Sequence, residues 1–252
     1  MTQAKDDLGH PVDILRPAHR VVSLVPSLTE AIAATCPEAL VGATDWCTHP
    51  TDLDVARVRG TKNPDRAAIA ALKPDVVLAN REENRELDVE RFRSAGISVW
   101  VTEIETVDEA FTSMARMFAA LGWDEPAWLA DAKAVWDLPA APSDLRVAVP
   151  IWRDPWMVVG SRTFTGDVLA RLGLVNAFGE SEGRYPRVEL SDIDRDDIDL
   201  VLLPDEPYVF TAEDGPSEFA QVPTVLVSGR ALTWYGPSML SSRDELMTAI
   251  DG

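Results

Sequence analysis

The residues of this chain best suited to bind a metal or a polar ligand lie in short loops that follow apolar runs. Cys47 and His49 are separated by a single residue, and a thiolate and an imidazole are both good ligands for Zn²⁺ and other transition metals. Two ligands are too few for a structural zinc site, so a third would have to come from Glu82, Glu83 or Glu206. Alternatively, His49 is a polar ligand contact and Cys47 a small buried side chain.

A second polar stretch follows the apolar run at residues 76–79. A charge run of this kind is usually a solvated loop, but at the carboxyl end of a parallel strand it also faces the region where open α/β sheets bind ligands. A nearby Lys-Asn turn supplies donors for carboxamide or phosphate groups. These stretches give as candidate ligand contacts Lys62, Asn63, Glu82, Glu83 and Asn84.

The same residues allow an enzymatic alternative. Glu82 or Glu83 would act as a general base and His49 as an acid on a small polar metabolite. No nucleophile elbow, zinc-protease helix or phosphate-binding glycine loop accompanies them.

Aromatic side chains are concentrated in loops of the second half, and the chain contains 8 tryptophans. Tryptophan and tyrosine combine apolar area with a polar group, so a flat macrocycle can lie against their faces. Together with a serine in the turn after the first strand, the further candidate ligand contacts are Ser27, Trp46, Trp152, Arg153, Trp156, Phe164, Arg184, Tyr185, Glu206, Tyr208, Phe210, Trp234 and Tyr235.

These loops must be positioned by regular secondary structure, and residues 107–138 are the longest predicted helical segment that could do so. Apolar residues recur there at three- and four-residue steps, which is the period of helices with one buried face. Gly122 and Pro126 predict a break between two helical segments. We therefore predict an α/β protein with two Rossmann-like lobes, residues 19–105 and 140–252, joined by a helical backbone at residues 106–139.

Strands alternate with helices on both sides of this segment. The first half predicts strands at residues 21–25, 40–46, 76–79 and 96–103, and the second half predicts strands at 146–152, within 190–210 and at 223–230. Ser27 followed three residues later by Glu30 predicts a capping box at the first helix.

Composition excludes several classes of function. A net charge of −19 argues against nucleic acid as a partner and against an anionic membrane surface. No apolar run reaches the ~18 residues of a membrane-spanning helix. No secretory signal is seen in the first twenty residues, so we expect a cytoplasmic protein with free thiols, and a periplasmic or extracellular one only if a leader was removed.

Several motifs together resemble the class III substrate-binding proteins, the helical-backbone metal receptors of ABC importers. They are RVVSLVPSLTE, GTKNP, LKPDVVLANREENR, GISVWVTE, DLVLLPDEPYVF and a late WYG, spread over residues 20–250. The branch most similar is the cobalamin-binding one. The resemblance implies two α/β lobes joined by a long helix, and a non-enzymatic protein that holds a corrinoid or another metal chelate in a cleft between the lobes.

The resemblance also implies a membrane partner, from which this chain departs. Cobalamin receptors of the family carry a glutamate on each lobe that docks onto a permease. The corresponding positions here fall near Ala67, with Asp65 beside it, and near Asp192 or Asp194. These departures argue against docking to an ABC permease.

Overall fold

A computed structural model describes residues 4–140 and 143–252. The chain divides into two compact units. Unit 1 contains the chain up to Glu103, Glu109–Ala130 and Tyr235–Pro237, and unit 2 contains Ile104–Asp108, Asp131–Trp234 and Ser238–Gly252. The lobe boundaries predicted from the sequence stay a prediction.

Unit 1 is an α/β unit. Its elements in chain order are β1 (Ala4–Lys5), β2 (Pro11–Val12), β3 (Val21–Ser23), α1 (Pro26–Thr35), a 3₁₀ turn (Pro37–Ala39), β4 (Leu40–Ala43), β5 (Ala56–Arg57), β6 (Arg59–Gly60), β7 (Asn63–Pro64), α2 (Arg66–Ala71), β8 (Val76–Asn80), α3 (Glu86–Ser94) and β9 (Val99–Thr102). Helices α4 (Val107–Leu121) and α5 (Ala127–Trp136) follow, and each is divided between the two units.

The main sheet of unit 1 is parallel, with strand order β5-β4-β3-β8-β9. Parallel neighbours need a crossover connection, which α1 and α3 supply. Alternate residues of β3, β8 and β9 enter one core cluster with Ile69 and Phe92 from the helices. Side chains at every second position share one face of a strand, so this face of the sheet is sealed by α2 and α3.

Unit 2 repeats this organisation. Its elements in chain order are β10 (Arg146–Ala148), β11 (Pro150–Trp152), β12 (Met157–Val158), α6 (Phe164–Arg171), β13 (Val175–Asn176), α7 (Leu190–Ile193), β14 (Leu200–Pro204), a 3₁₀ turn (Pro216–Glu218), β15 (Thr224–Val227), α8 (Gly229–Thr233) and α9 (Met239–Asp251). Its main sheet is also parallel, in the order β13-β10-β14-β15. The predicted architecture, an α/β fold with two parallel sheets, is confirmed.

Each sheet has a point where the strand order reverses. In unit 1 the chain moves from β3 outward to β5 and then returns to β8, and in unit 2 it moves from β10 to β13 and then returns to β14. Ligands of open α/β sheets bind outside the carboxyl ends of the strands at such points. The loops after β3 and β8, and those after β10 and β14, are therefore where a site is expected in each unit.

Several local predictions need correction. The capping box at Ser27 and Glu30 is wrong, because Pro26 occupies the first helical position and Val25 is the N-cap, without a side-chain cap bond. Proline suits that position because its fixed φ is already helical. The strand predicted at residues 146–152 is divided into β10 and β11. By contrast, the predicted break between two helices is confirmed by the end of α4 at Leu121 and the start of α5 at Ala127.

No helix of the described residues has an apolar stretch long enough to cross a bilayer.

We expect Phe92→Ala to lower the free energy of unfolding by about 3–5 kcal/mol, because it opens a cavity in a closely packed core. Phe92 is 1% exposed on α3. Leu87 on the same helix is 54% exposed, so Leu87→Ala is the matched control, with a change within about 0.5 kcal/mol. Denaturant unfolding followed by circular dichroism measures both, and equal losses would contradict this packing.

Candidate functional site

A buried pair of asparagines shapes the loop after β8. The side chain of Asn84 is 6% exposed. Its Oδ1 accepts the backbone N–H of Asn80 at 2.8 Å, and its Nδ2 donates to the carbonyls of Thr61 at 3.0 Å and Leu24 at 3.4 Å. The Oδ1 of Asn80 in turn accepts the backbone N–H of Glu82 at 2.8 Å. Asn84, predicted as a ligand contact, is therefore corrected to a structural residue that ties this loop to its neighbours.

The loop thus built presents polar groups at the carboxyl edge of unit 1. Lys62 follows β6, and its Nζ donates to the backbone carbonyl of Glu82 at 2.6 Å. The side chains of Lys62, Asn63 and Glu82 are exposed. The structure therefore brings together two of the sequence candidates, Lys62 and Glu82.

Trp46 and His49 lie in the loop after β4. Trp46 is 67% exposed, and its Nε1 lies 3.3 Å from where a Cβ on Gly60 would stand. His49 is half-buried, with Nδ1 3.1 Å from the hydroxyl of Thr48. This loop therefore carries an exposed indole and a half-buried imidazole.

The structure does not support the predicted Cys47–His49 metal site. Cys47 is fully buried, with its Sγ 3.0 Å from the hydroxyl of Thr29 and 3.1 Å from that of Thr44. Burial raises the pKa of its thiol, although both hydroxyl contacts act in the opposite direction, so the thiolate that a metal requires is disfavoured. Within the described ranges there is no group of three or more potential ligands. Cys47 is a small core side chain, as the alternative interpretation proposed.

Ser27 and Tyr235 are also buried, at 3% and 5% exposure. Burial, followed by the charge of Glu83, raises the pKa of the Tyr235 phenol, which keeps it a neutral donor at all physiological pH. The adjoining Gly236 has φ +151°, and a Cβ there would lie 3.3 Å from the carbonyl of Ser27. These two candidates hold the Tyr235–Pro237 segment against the start of α1.

In unit 2 the loops after β10 and β14 bring three candidates together. Trp152 is 45% exposed and packs edge-on against Tyr208, with ring centroids 5.5 Å apart. The Tyr208 hydroxyl donates to Asp214 at 2.5 Å. Arg153 pairs with the same Asp214 and with Glu218 at 3.2 Å. We call the Trp152–Tyr208 pair the aromatic wall. Arg153 is connected to this wall through Asp214, which also binds the Tyr208 hydroxyl.

Electrostatics keep Arg153 charged. Burial alone would lower the pKa of its guanidinium, but the carboxylates of Asp214, Glu218 and Asp154 reverse this and raise it. With three acids close by, the cation is largely neutralised within unit 2. The Arg153 guanidinium could therefore serve a ligand mainly as a rigid N–H donor beside the aromatic wall.

Four predicted ligand contacts are buried core residues instead. Trp156 and Phe210 belong to the hydrophobic core of unit 2, at 9% and 2% exposure, and their rings stack with centroids 6.1 Å apart. Phe164 and Trp234 are buried at 6% each. Their places in loops or at element ends suggested accessible rings, but the rings are buried.

Arg184 and Tyr185 lie in the segment before α7. Arg184 pairs with Glu105, and its carbonyl accepts the backbone N–H of Gly160 at 2.7 Å. A cavity of about 260 Å³ opens nearby at the start of α6, where Thr163 caps the helix through the N–H of Gly166 at 3.0 Å. Its lining includes Glu105, Gly160, Ser161, Arg162, Thr163 and Asn176.

Glu206 is the most perturbed acid of unit 2. It follows β14, and its Oε1 is buried without a hydrogen-bond partner among the described residues. Burial first, and then the charge of Asp205, raises the pKa of Glu206 from 4.5 to about 7. A hydrogen bond from Trp234 and the charge of Arg230 offset only part of that rise.

The acids nearest the family's docking positions have structural roles. Asp65 caps α2 by accepting the N–H groups of Ala67 and Ala68 at 3.1 and 3.0 Å. Asp192 accepts the N–H of Glu189 at 3.0 Å in a capping box. Asp194 accepts three backbone N–H groups of residues 220–222, at 2.8–2.9 Å. The expectation that this chain does not dock to an ABC permease stays a prediction.

Sequence reasoning missed the residues that support these side chains. Asn80 could have been found from the sequence, because it is an amide at the end of an otherwise apolar strand. Asp214 and Glu218 could not, because their bonds to Arg153 span 61 and 65 residues.

Comparison with known proteins now bears on this geometry. No protein-family model matches the chain. A vitamin B12-binding protein of Vibrio cholerae is 26% identical over 209 residues, covering 78% of this chain and 71% of that protein. Among solved structures, Helicobacter pylori CeuE in a Ni-His complex has a TM-score of 0.79 at 17% identity, covering 98% of this chain and 88% of that one. A periplasmic heme-binding protein of Pseudomonas aeruginosa has a TM-score of 0.75 at 19% identity, covering 92% and 94%.

The chain is therefore similar, in sequence and in fold, to the class III substrate-binding proteins. The matching proteins are named for the binding of a ligand and not for a reaction, which does not favour the acid/base role considered for Glu82, Glu83 and His49. The predicted resemblance to this family is confirmed. The cytoplasmic location expected from the sequence stays a prediction.

We expect the two thiols of this protein to react at very different rates. Cys47 is fully buried, whereas Cys36 is partly exposed. A thiol reagent should therefore label Cys47→Ser, which keeps Cys36, more than tenfold faster than Cys36→Ser, because a buried thiol reacts only when the structure opens. Both variants should react alike in denaturant. Equal rates in the folded proteins would contradict the buried position of Cys47.

The free energy of unfolding of this protein should depend on Glu206 between about pH 4.5 and 7. Since the pKa of Glu206 is raised from 4.5 to about 7 in the folded state, the folded state binds the proton more tightly, and its contribution to stability falls as pH rises through this window. At about 1.4 kcal/mol per pKa unit, the loss is on the order of 3 kcal/mol.

Glu206→Gln carries no titrating group there, so it should lack this fall and be more stable than wild type at pH 8. Urea unfolding at pH 5 and pH 8 measures the difference. Parallel pH profiles for the two proteins would refute the buried, raised acid.

Proposed function

We propose that this protein binds a cobalamin-like corrinoid or another flat metal chelate, with the aromatic wall of unit 2 as its main contact. The observation that carries the proposal is the wall's position. Trp152 ends β11, directly after β10, and Tyr208 follows β14, so the two rings stand at the point where the strand order of unit 2 reverses.

The wall has the form that a planar macrocycle needs. Trp152 is 45% exposed while its edge-on contact with Tyr208 fixes its orientation. A ring held in place before binding loses little rotamer entropy on binding, so more of its contact area appears as affinity. Apolar faces with hydrogen-bonding tips suit a ring system that carries polar side chains.

Polar groups beside the wall suit the periphery of such a ligand. The Arg153 guanidinium is held by Asp214 and Glu218, and its planar fork offers N–H donors to carbonyl or carboxylate oxygens. Corrinoid carboxamides and porphyrin carboxylates both use such partners.

The relatives support the ligand class and not one ligand. One is named for vitamin B12, one for heme, and one was solved as a Ni-His complex. A ligand built around a coordinated metal is common to all three. The corrinoid is our choice because the vitamin B12-binding relatives are those matched by sequence.

Calorimetric titration with cyanocobalamin, cobinamide and hemin tests the proposal. We expect a stoichiometric heat and quenching of tryptophan emission with at least one of the corrinoids. Binding of hemin alone would move the assignment to a porphyrin. Absence of binding for all three would remove the function proposed.

We expect Trp152→Ala to weaken corrinoid binding at least tenfold, because truncating a central aromatic contact typically costs more than about 1.4 kcal/mol. Leu240→Ala is the matched control, since Leu240 is an apolar side chain of unit 2 with 41% exposure, on α9. Its affinity should equal that of wild type. An unchanged affinity in Trp152→Ala would show that the ligand does not use the wall.

A further inference from the structure

The segment between β14 and the core residue Phe210 is a short loop fixed at two points. At its far end Phe210 is 2% exposed, and its backbone N–H donates to the Pro204 carbonyl at 3.3 Å. At its near end stands Glu206. Between these anchors lies Tyr208, one half of the aromatic wall. Tyr208, whose hydroxyl is also held by Asp214, therefore lies in a loop whose two ends are fixed by Glu206 and Phe210.

The anchor at Glu206 is tightly packed. Gly229 of α8 lies so close that a Cβ there would stand 2.8 Å from the Glu206 nitrogen and 2.9 Å from its carbonyl oxygen. The backbone N–H of Gly229 donates to Asp205 at 2.7 Å. The Trp234 indole hydrogen-bonds to the Glu206 carboxyl. Backbone and side chain of Glu206 are thus held against α8 and the residue after it.

The charges around this carboxyl do not balance a full negative charge. The groups that act on it are Asp205 from its own loop and Arg230 from α8. The guanidinium of Arg230 lies 5.7 Å from the centroid of the Trp234 ring. Oε1 of Glu206 is buried without a hydrogen-bond partner in the part of the chain that the structure describes. A buried carboxylate with one oxygen unsatisfied is costly, whereas the neutral acid is tolerated.

We propose that Glu206 is a positioning residue for the ligand: as the neutral acid it holds loop 205–210 against α8, and on ionisation it releases the loop and moves Tyr208 away from Trp152. This inference rests on the proposed function, because it assigns the control of the same aromatic wall. Its consequence is that ligand binding is accompanied by proton uptake above neutral pH. Ligand is bound tightly in mildly acidic solution and released in alkaline solution.

The pH profile of affinity tests this. With a pKa of about 7, and binding only to the neutral form, the apparent Kd for cyanocobalamin should rise by up to about 30-fold between pH 6 and pH 8.5, in proportion to the lost competent fraction. Glu206→Gln should bind with the low-pH affinity across the whole range. Glu213→Gln, which removes an exposed carboxylate from the neighbouring loop, should keep the wild-type profile.

Two results would overturn the proposal: a flat wild-type profile, or a Glu206→Gln profile parallel to that of wild type. Because each variant is compared with wild type on the same ligand and in the same buffer, ionisation of the ligand cancels from the comparison.

A measurement without ligand separates this inference from the proposed function. Trp234 touches Glu206 and Trp152 touches Tyr208, so tryptophan emission of the free protein should change with a midpoint near pH 7 in wild type and Glu213→Gln, and not in Glu206→Gln. That result together with no binding of any chelate would uphold the loop movement and reject the ligand. Binding of cyanocobalamin with identical emission profiles in all three proteins would uphold the ligand and reject the role of Glu206.

Discussion

The hydrogen bonds between Asn80 and Asn84 are the constraint on which the exposed edge of unit 1 depends. A parallel sheet brings all its strand ends to one edge, where the loops lose their sheet partners and their backbone groups need others. The two amides supply these partners for the loops after β3, β6 and β8. Their side chains are small enough to be buried, and charged groups such as Lys62 and Glu82 are left at the surface. The buried amides thus order the loops, and the charged side chains of these loops stay at the surface.

Unit 2 meets the same requirement in a different way. Its edge is built from aromatic rings, with Trp156 and Phe210 stacked below and Trp152 and Tyr208 above. Contacts between rings alone would not fix the orientation of these loops. Asp214 fixes it, because its carboxylate hydrogen-bonds to Tyr208 and pairs with Arg153. An acid, a cation and a phenol therefore position the apolar surface that Trp152 and Tyr208 form.

How much the sequence revealed depended on the range of the interaction. The strands β8 and β14 were predictable because buried parallel strands appear as unbroken apolar runs, and the break before α5 was predictable because Gly122 and Pro126 act locally. The hairpin of β6 and β7 was not, since Arg59–Gly60 and Asn63–Pro64 carry no apolar alternation. Among site residues, Trp152 and Trp156 have the same type and similar surroundings in the sequence. Only the return of the distant Phe210 and Phe219 rings buries one and leaves the other exposed.

The assignment of Tyr235–Pro237 to unit 1 has a consequence for synthesis on the ribosome. The last residues that complete this unit are made more than 100 residues after its final strand, β9, ends at Thr102. At about 5–20 residues per second, that delay is on the order of ten seconds. During that time the nascent unit lacks Tyr235, so the start of its first helix, at Ser27, is not yet in contact with the carboxyl-terminal segment. A chain cut short before that segment would carry an incomplete first unit as well as an incomplete second one.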